Sequence, residues 1–63
     1  MNNLPNLDRW FIANGVDGKY IYGDIISNGE FCGQCAEKIL RIDFVERTVS
    51  TAKNIYELGD EHK

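Results

Sequence analysis

Two cysteines, Cys32 and Cys35, stand in the run Phe31-Cys-Gly-Gln-Cys-Ala36 and are the only thiols of a 63-residue chain. A Cys-x-x-Cys pair can occupy two of the four tetrahedral positions of a structural zinc, with both thiolates converging across a tight turn that Gly33 would permit. The same spacing is that of a redox dithiol, in which a helix N-terminus lowers the pKa of the first thiol. Neither chemistry is complete here. The single histidine, His62, lies in a polar tail, and a second Cys pair is absent. A zinc site on Cys32 and Cys35 therefore requires a homodimer to supply the other two ligands, and the expected cofactor is none. The βαβ pattern that supports a redox dithiol is also missing. The plain alternative is that the two thiols pack as small hydrophobic side chains, since free Cys is among the most buried residue types.

Other reactive groups are sparse. There is no Gly-x-Ser-x-Gly elbow, no P-loop and no dinucleotide fingerprint, and His62 has no evident nucleophile to serve. Asp24, Glu30 and Glu37 are carboxylates of the ordinary solvated kind, so no enzymatic activity is expected. The aromatic residues are more informative. One Trp, three Tyr and three Phe are many for so short a chain, and a thin sheet cannot bury all of them on one side. Exposed Tyr and Trp favour protein interfaces, where they bring large contact area at low entropic cost. The expected protein-binding residues are Trp10, Tyr20, Tyr22 and Tyr56, with the acids Asp24 and Glu57 at the rim.

The elements that must carry these residues read as strands. Arg9-Trp-Phe-Ile-Ala-Asn14 is aromatic and β-branched, and Asn14-Gly15 and Asp17-Gly18 follow as turn signals. Lys19–Ile26 resumes in alternation, with Ile21, Gly23 and Ile25 on one face and Tyr20, Tyr22 and Ile26 on the other. Gly23 within that strand predicts a bulge or sharp bend, the device that curls a short sheet. Ser27-Asn28-Gly29 predicts a second turn. Between Glu30 and Phe44 two periods compete. Cys32, Cys35, Ala36 and Ile39 have helical spacing, whereas Leu40, Ile42 and Phe44 alternate as in a half-buried strand. The expectation is one turn or helical turn at 33–37 and a strand at 38–45. Arg47–Ala52 and Ile55–Leu58 supply two more strands, ended by Gly59.

This predicts one small domain over residues 1–63, with flexible ends at 1–7 and 60–63. Its fold class is all-β or β-dominated, a curled meander or small open barrel of four or five short antiparallel strands. Closure of that kind hides sheet edges from aggregation. A core this small supplies about 3–5 kcal/mol, which makes self-association a natural supplement. The net charge of −3 arises from ten acids and seven scattered bases. Without a basic stripe the chain is not expected to bind DNA or RNA directly. The N-terminal residues lack the features of a secretory signal, and no run approaches a membrane span, so a cytoplasmic location is expected.

The stretch from Trp10 to Gly59 resembles a loose group of short β-rich orphan proteins carried by phages and plasmids. The resemblance rests on Trp10, Gly23-Asp-Ile25, Ile39-Leu-Arg-Ile42 and the ending Thr51-Ala-Lys-Asn-Ile-Tyr56-Glu-Leu58-Gly59. The Cys-Gly-Gln-Cys segment lies outside that outline. The resemblance implies a phage or mobile-element protein in the cytoplasm of a bacterial host, which binds and inhibits a host protein such as an antiviral-defence component. Two other functions are carried as alternatives. One is a small metal or dithiol protein using Cys32 and Cys35; the other is a nucleotide-signal sponge, which would need Arg41 and Arg47 aimed at phosphate.

Overall fold

The computed structural model describes residues 4–62. Five strands follow one another along the chain: β1 (Asn6–Gly15), β2 (Gly18–Ser27), β3 (Glu30–Asp43), β4 (Thr48–Thr51) and β5 (Ile55–Leu58). They form a closed barrel in the order β1-β2-β3-β4-β5. No helix occurs among the described residues, and none there is long and apolar enough to cross a membrane. The all-β class and the small barrel expected from sequence are thus observed.

Strands of a simple up-and-down meander alternate in direction, so the first and fifth must run the same way. The seam between β1 and β5 is accordingly parallel, through Asn6 opposite Glu57 and Leu7 opposite Leu58, while the other four pairings are antiparallel. The expected all-antiparallel arrangement is corrected at this one seam. Because two parallel pairs make a weak closure, other groups reinforce it. The Glu57 amide donates to the Pro5 carbonyl at 2.9 Å, and the Gly59 amide donates to the Leu7 carbonyl at 2.8 Å. The Gly59 carbonyl in turn accepts Trp10 Nε1 at 3.0 Å and Arg47 Nη2 at 2.8 Å.

Three bulges bend the sheet into a barrel. In β1, Arg9 and Trp10 together face the single residue Gly23. In β3, Cys32 is the extra residue opposite the Ile25-Ile26 step, and Leu40 is the extra residue opposite the Ser50-Thr51 step. The bend expected at Gly23 is there for a steric reason. A Cβ on Gly23 would lie 3.1 Å from both Cα and Cβ of Trp10. Only a glycine lets the bulged strand cross so closely.

Residues 33–37 form strand, which corrects the expected turn or helical turn. They pair with β2 through Ile21 opposite Glu37, Tyr22 opposite Ala36, Gly23 opposite Cys35, Asp24 opposite Gln34 and Ile25 opposite Gly33. The bulge at Cys32 inserts one residue into a period of two, which mimics helical spacing. Gly33, at φ +140°, accommodates it. Strand β3 then stops at Asp43, short of the expected Val45. Asp43 Oδ1 accepts the amides of Val45 at 3.0 Å and Glu46 at 3.1 Å and so starts a turn.

The barrel interior holds Leu7, Trp10, Ile21, Cys35, Val49, Tyr56 and Leu58, with Ile12, Ile25, Ile39 and Ile42 packed against them. Within the described residues, the end segments 1–7 and 60–63 make the following contacts with the barrel. Leu7 is fully buried, Trp10 bridges to Glu61, and the His62 amide donates to the Trp10 carbonyl at 2.8 Å. Residues 1–3 and 63 lie outside the described residues.

Gly59 is where the closure has least room. A Cβ there would lie 2.9 Å from the Leu7 carbonyl oxygen and would collide with Asp8 Oδ1. Gly59→Ala is therefore expected to lower the unfolding free energy by about 1–3 kcal/mol, since relief requires moving backbone at the seam. Urea denaturation monitored by Trp10 fluorescence measures it.

Candidate functional site

The bulge in β1 shapes the outer face of the β1-β2-β3 sheet. Arg9 adopts φ +52°, a left-handed conformation that costs a non-glycine residue roughly 1–2 kcal/mol. Its side chain lies over β2, where Nε and Nη2 both donate to Asp24 Oδ2 at 3.1 and 2.8 Å. The Asp24 side chain is mostly covered, whereas that of Arg9 is open to solvent. Next to this ion pair Phe11 stacks on Tyr22, with ring centroids 5.3 Å apart and planes 20° from parallel. The His62 ring approaches Phe11 at 5.8 Å.

These groups line a groove of about 410 Å³ together with Gly23, Gln34 and Ala36. It presents an aromatic face, a cation, a carboxylate and an amide. Such a set can recognise a partner by stacking, hydrogen bonding and charge. Cys35 also borders the groove, but its thiol is buried and donates to the Ile21 carbonyl oxygen at 3.7 Å.

The six residues expected to bind a partner do not form one surface. Tyr22 and Asp24 meet in the groove. Trp10 and Tyr56 are corrected to core residues, being 5% and 1% exposed. The β1 bulge turns Trp10 inward, and the strict alternation of β5 sends Tyr56 inward with Leu58. Tyr20 is half-buried near the β1–β2 turn, where its hydroxyl donates to Asp17 Oδ1 at 3.0 Å. Glu57 is exposed on β5, beside the seam. Arg9, Phe11 and His62 enter the site without a counterpart in the sequence expectation. Phe11 does carry a signal, since it neighbours Trp10 in a strand and one of the two must face outward.

Cys32 and Cys35 do not converge. Cys32 is exposed, with Sγ 3.5 Å from the Glu30 carbonyl oxygen, and Cys35 belongs to the core. A strand, unlike the expected turn, cannot aim residues three apart at one ion. Among the described residues no group of three or more His, Cys, Asp or Glu side chains is placed to hold a metal. Arg41 and Arg47 are likewise separate. Arg47 donates to the carbonyls of Leu58 and Gly59, and Arg41 borders a shallow pocket with Asp43, Thr48, Ser50 and Ile55.

A polar cluster lies where β3, β4 and β5 meet. Thr51 Oγ1 donates to Glu37 Oε1, Tyr56 Oη donates to Glu37 Oε2 at 3.1 Å, and Asn54 Nδ2 donates to Tyr56 Oη at 3.2 Å. Burial, followed by the nearby Glu37 charge, raises the Cys35 thiol above its ordinary 9.0. Burial also raises Tyr56 above its ordinary 10.0. Both groups are neutral when protonated, so the folded state holds protons that the unfolded state releases first. Their contribution to stability is complete below pH 9.0 and declines above it, with Tyr56 adding to the decline above pH 10.0. Urea melts across this range are expected to show that fall, and Cys35→Ala is expected to remove its lower-pH part.

Comparison with known protein families, characterised proteins and solved structures finds no match to this chain.

Proposed function

We propose that this chain is a non-enzymatic binding protein that docks a partner protein in the groove between the Arg9–Asp24 ion pair and the Phe11–Tyr22 stack. The observation that carries the proposal is the stack itself. Phe11 is 44% exposed on a sheet whose other face already fills the barrel. An exposed aromatic pair held beside a charge pair has the composition of an interface centre. The strained backbone at Arg9 supports the same reading, because left-handed non-glycine residues cluster at functional positions.

The partner we propose is a bacterial host protein, bound and inhibited in the cytoplasm by a phage or mobile-element product, with an antiviral-defence component as the target class. That part rests on the resemblance of Trp10–Gly59 to short phage and plasmid proteins. The scattered bases do not favour nucleic acid. The separation of Cys32 from Cys35 and of Arg41 from Arg47 does not favour the metal or nucleotide alternatives.

Affinity capture from bacterial lysate tests the proposal. The wild-type chain is expected to retain one host protein at stoichiometric level, and Tyr22→Ala is expected to lose it. Val16→Ala, at the fully exposed β1–β2 turn, should behave as wild type. Equal retention by Tyr22→Ala would exclude the groove.

A further inference from the structure

The groove between the Arg9–Asp24 ion pair and the Phe11–Tyr22 stack carries no net charge of its own. Arg9 and Asp24 neutralise each other at 2.8 Å, and with His62 counted neutral the other groups lining the groove are uncharged. Charge therefore selects neither a basic nor an acidic residue there. What the groove offers instead is ring surface. Phe11, 44% exposed, and Tyr22 supply it, while Gly23 has no side chain and Ala36 only a methyl group, so the space beside the rings stays open. The groove measures about 410 Å³, at the small end of the roughly 300–1,000 Å³ that takes a small organic group. That is room for one planar side chain.

The ion pair supplies the polar edge that such a side chain meets. Both donors from Arg9 fall on the same oxygen, Asp24 Oδ2, at 3.1 and 2.8 Å. Asp24 Oδ1 and Arg9 Nη1 take no part in the pair, and neither has another partner among the described residues. No described residue holds a buried, unpartnered side-chain oxygen or nitrogen of this kind, so Oδ1 is open to solvent, and the Arg9 side chain is 73% exposed. A free acceptor thus stands in the groove with a free donor. A phenol hydroxyl both donates and accepts, an indole N–H only donates, and a phenylalanine ring does neither. Tyrosine alone of the three matches the ring surface, the absence of charge and both edge groups.

We infer that the groove receives one tyrosine side chain of the partner protein, its ring against Phe11 and Tyr22 and its hydroxyl on Asp24 Oδ1 and Arg9 Nη1. Interface hot spots are enriched in tyrosine, tryptophan and arginine, and they tend to meet hot spots on the partner. Tyrosine also brings its contact area at low entropic cost, having only two side-chain torsions. The left-handed backbone at Arg9 serves this arrangement, since it lays the guanidinium over Asp24 and so fixes both edge groups. The inference rests on the groove being the docking site and names the residue that enters it.

The test titrates the full chain with N-acetyl-tyrosinamide and follows it by NMR. Saturable shifts are expected at Phe11, Tyr22, Gly23 and the Arg9 side chain, with a dissociation constant on the order of 1 mM for so small a ligand. N-acetyl-phenylalaninamide and the O-methyl ether of the tyrosine probe are each expected to bind at least about fivefold more weakly. N-acetyl-leucinamide should give no saturable shift. Asp24→Ala, with the spectrum otherwise folded, is expected to erase the difference between the tyrosine and phenylalanine probes. Absence of saturable shifts with the tyrosine probe would overturn the inference. So would equal binding of the tyrosine and phenylalanine probes by the wild-type chain, or tighter binding of N-acetyl-tryptophanamide. Any of these results, obtained while host-protein capture is still lost in Tyr22→Ala, leaves docking in the groove standing and removes only the tyrosine.

Discussion

Trp10→Ala is expected to leave the chain largely unfolded in water. The indole is 5% exposed, its Nε1 donates to the Gly59 carbonyl at 3.0 Å, and its ring lies 6.5 Å from that of Phe44. Truncating a buried Trp costs roughly 3–5 kcal/mol, and a core of this size supplies about 3–5 kcal/mol in all. The loss thus matches the whole margin. Trp10→Phe keeps a ring in the core and surrenders the hydrogen bond and part of the packing, so it should remain folded with a loss of about 1–2 kcal/mol. Far-ultraviolet circular dichroism with urea titration measures both. A folded Trp10→Ala with a loss under about 1 kcal/mol would show that the seam does not depend on the indole.

The largest functional effect is expected from the double variant Phe11→Ala/Tyr22→Ala. Both rings lie outside the barrel, so each should cost stability no more than about 1 kcal/mol, the scale of a cross-strand pair. In binding, the pair forms the centre of the groove, and residues in such positions cost about 2 kcal/mol or more when truncated. Affinity for the captured host protein is therefore expected to fall by about a hundredfold or more. Isothermal titration calorimetry with thermal melts on the same samples separates the two effects. An unchanged affinity in a folded double variant would place the interface elsewhere.

Much of the barrel is legible in the sequence because its signals are local. The Asn28-Gly29 turn, with φ +53° and +78°, joins β2 to β3 as the residue types require. Ile21 and Ile25 face the core and Tyr22 and Asp24 the outside, as simple alternation predicts. The bulges are less legible, since each changes which face the following residues occupy. That is why Cys32–Ile39 imitates a helix and why Trp10 reads as an exposed residue. Aromatic type alone does not distinguish Trp10 and Tyr56 from Phe11 and Tyr22, because either face of a strand accepts such rings.

The residues that carry the resemblance have structural roles in this chain. Trp10, Leu58 and Gly59 close the parallel seam, Gly23 admits the bulge, and Thr51 and Tyr56 bind Glu37 across three strands. The groove uses few of them. It exists only because the bulge places Arg9 over Asp24 and the docked tail brings His62 to Phe11. These contacts join residues far apart in the chain, and no local pattern encodes them.

Hydrogen–deuterium exchange on the complex with the captured host protein locates the interface most directly. Slowed exchange is predicted over residues 9–11, 22–24 and 33–37, with β4 and β5 unchanged. Protection centred on the outer face around Arg41, Ser50 and Ile55, with none at Phe11 or Tyr22, would contradict docking in the groove.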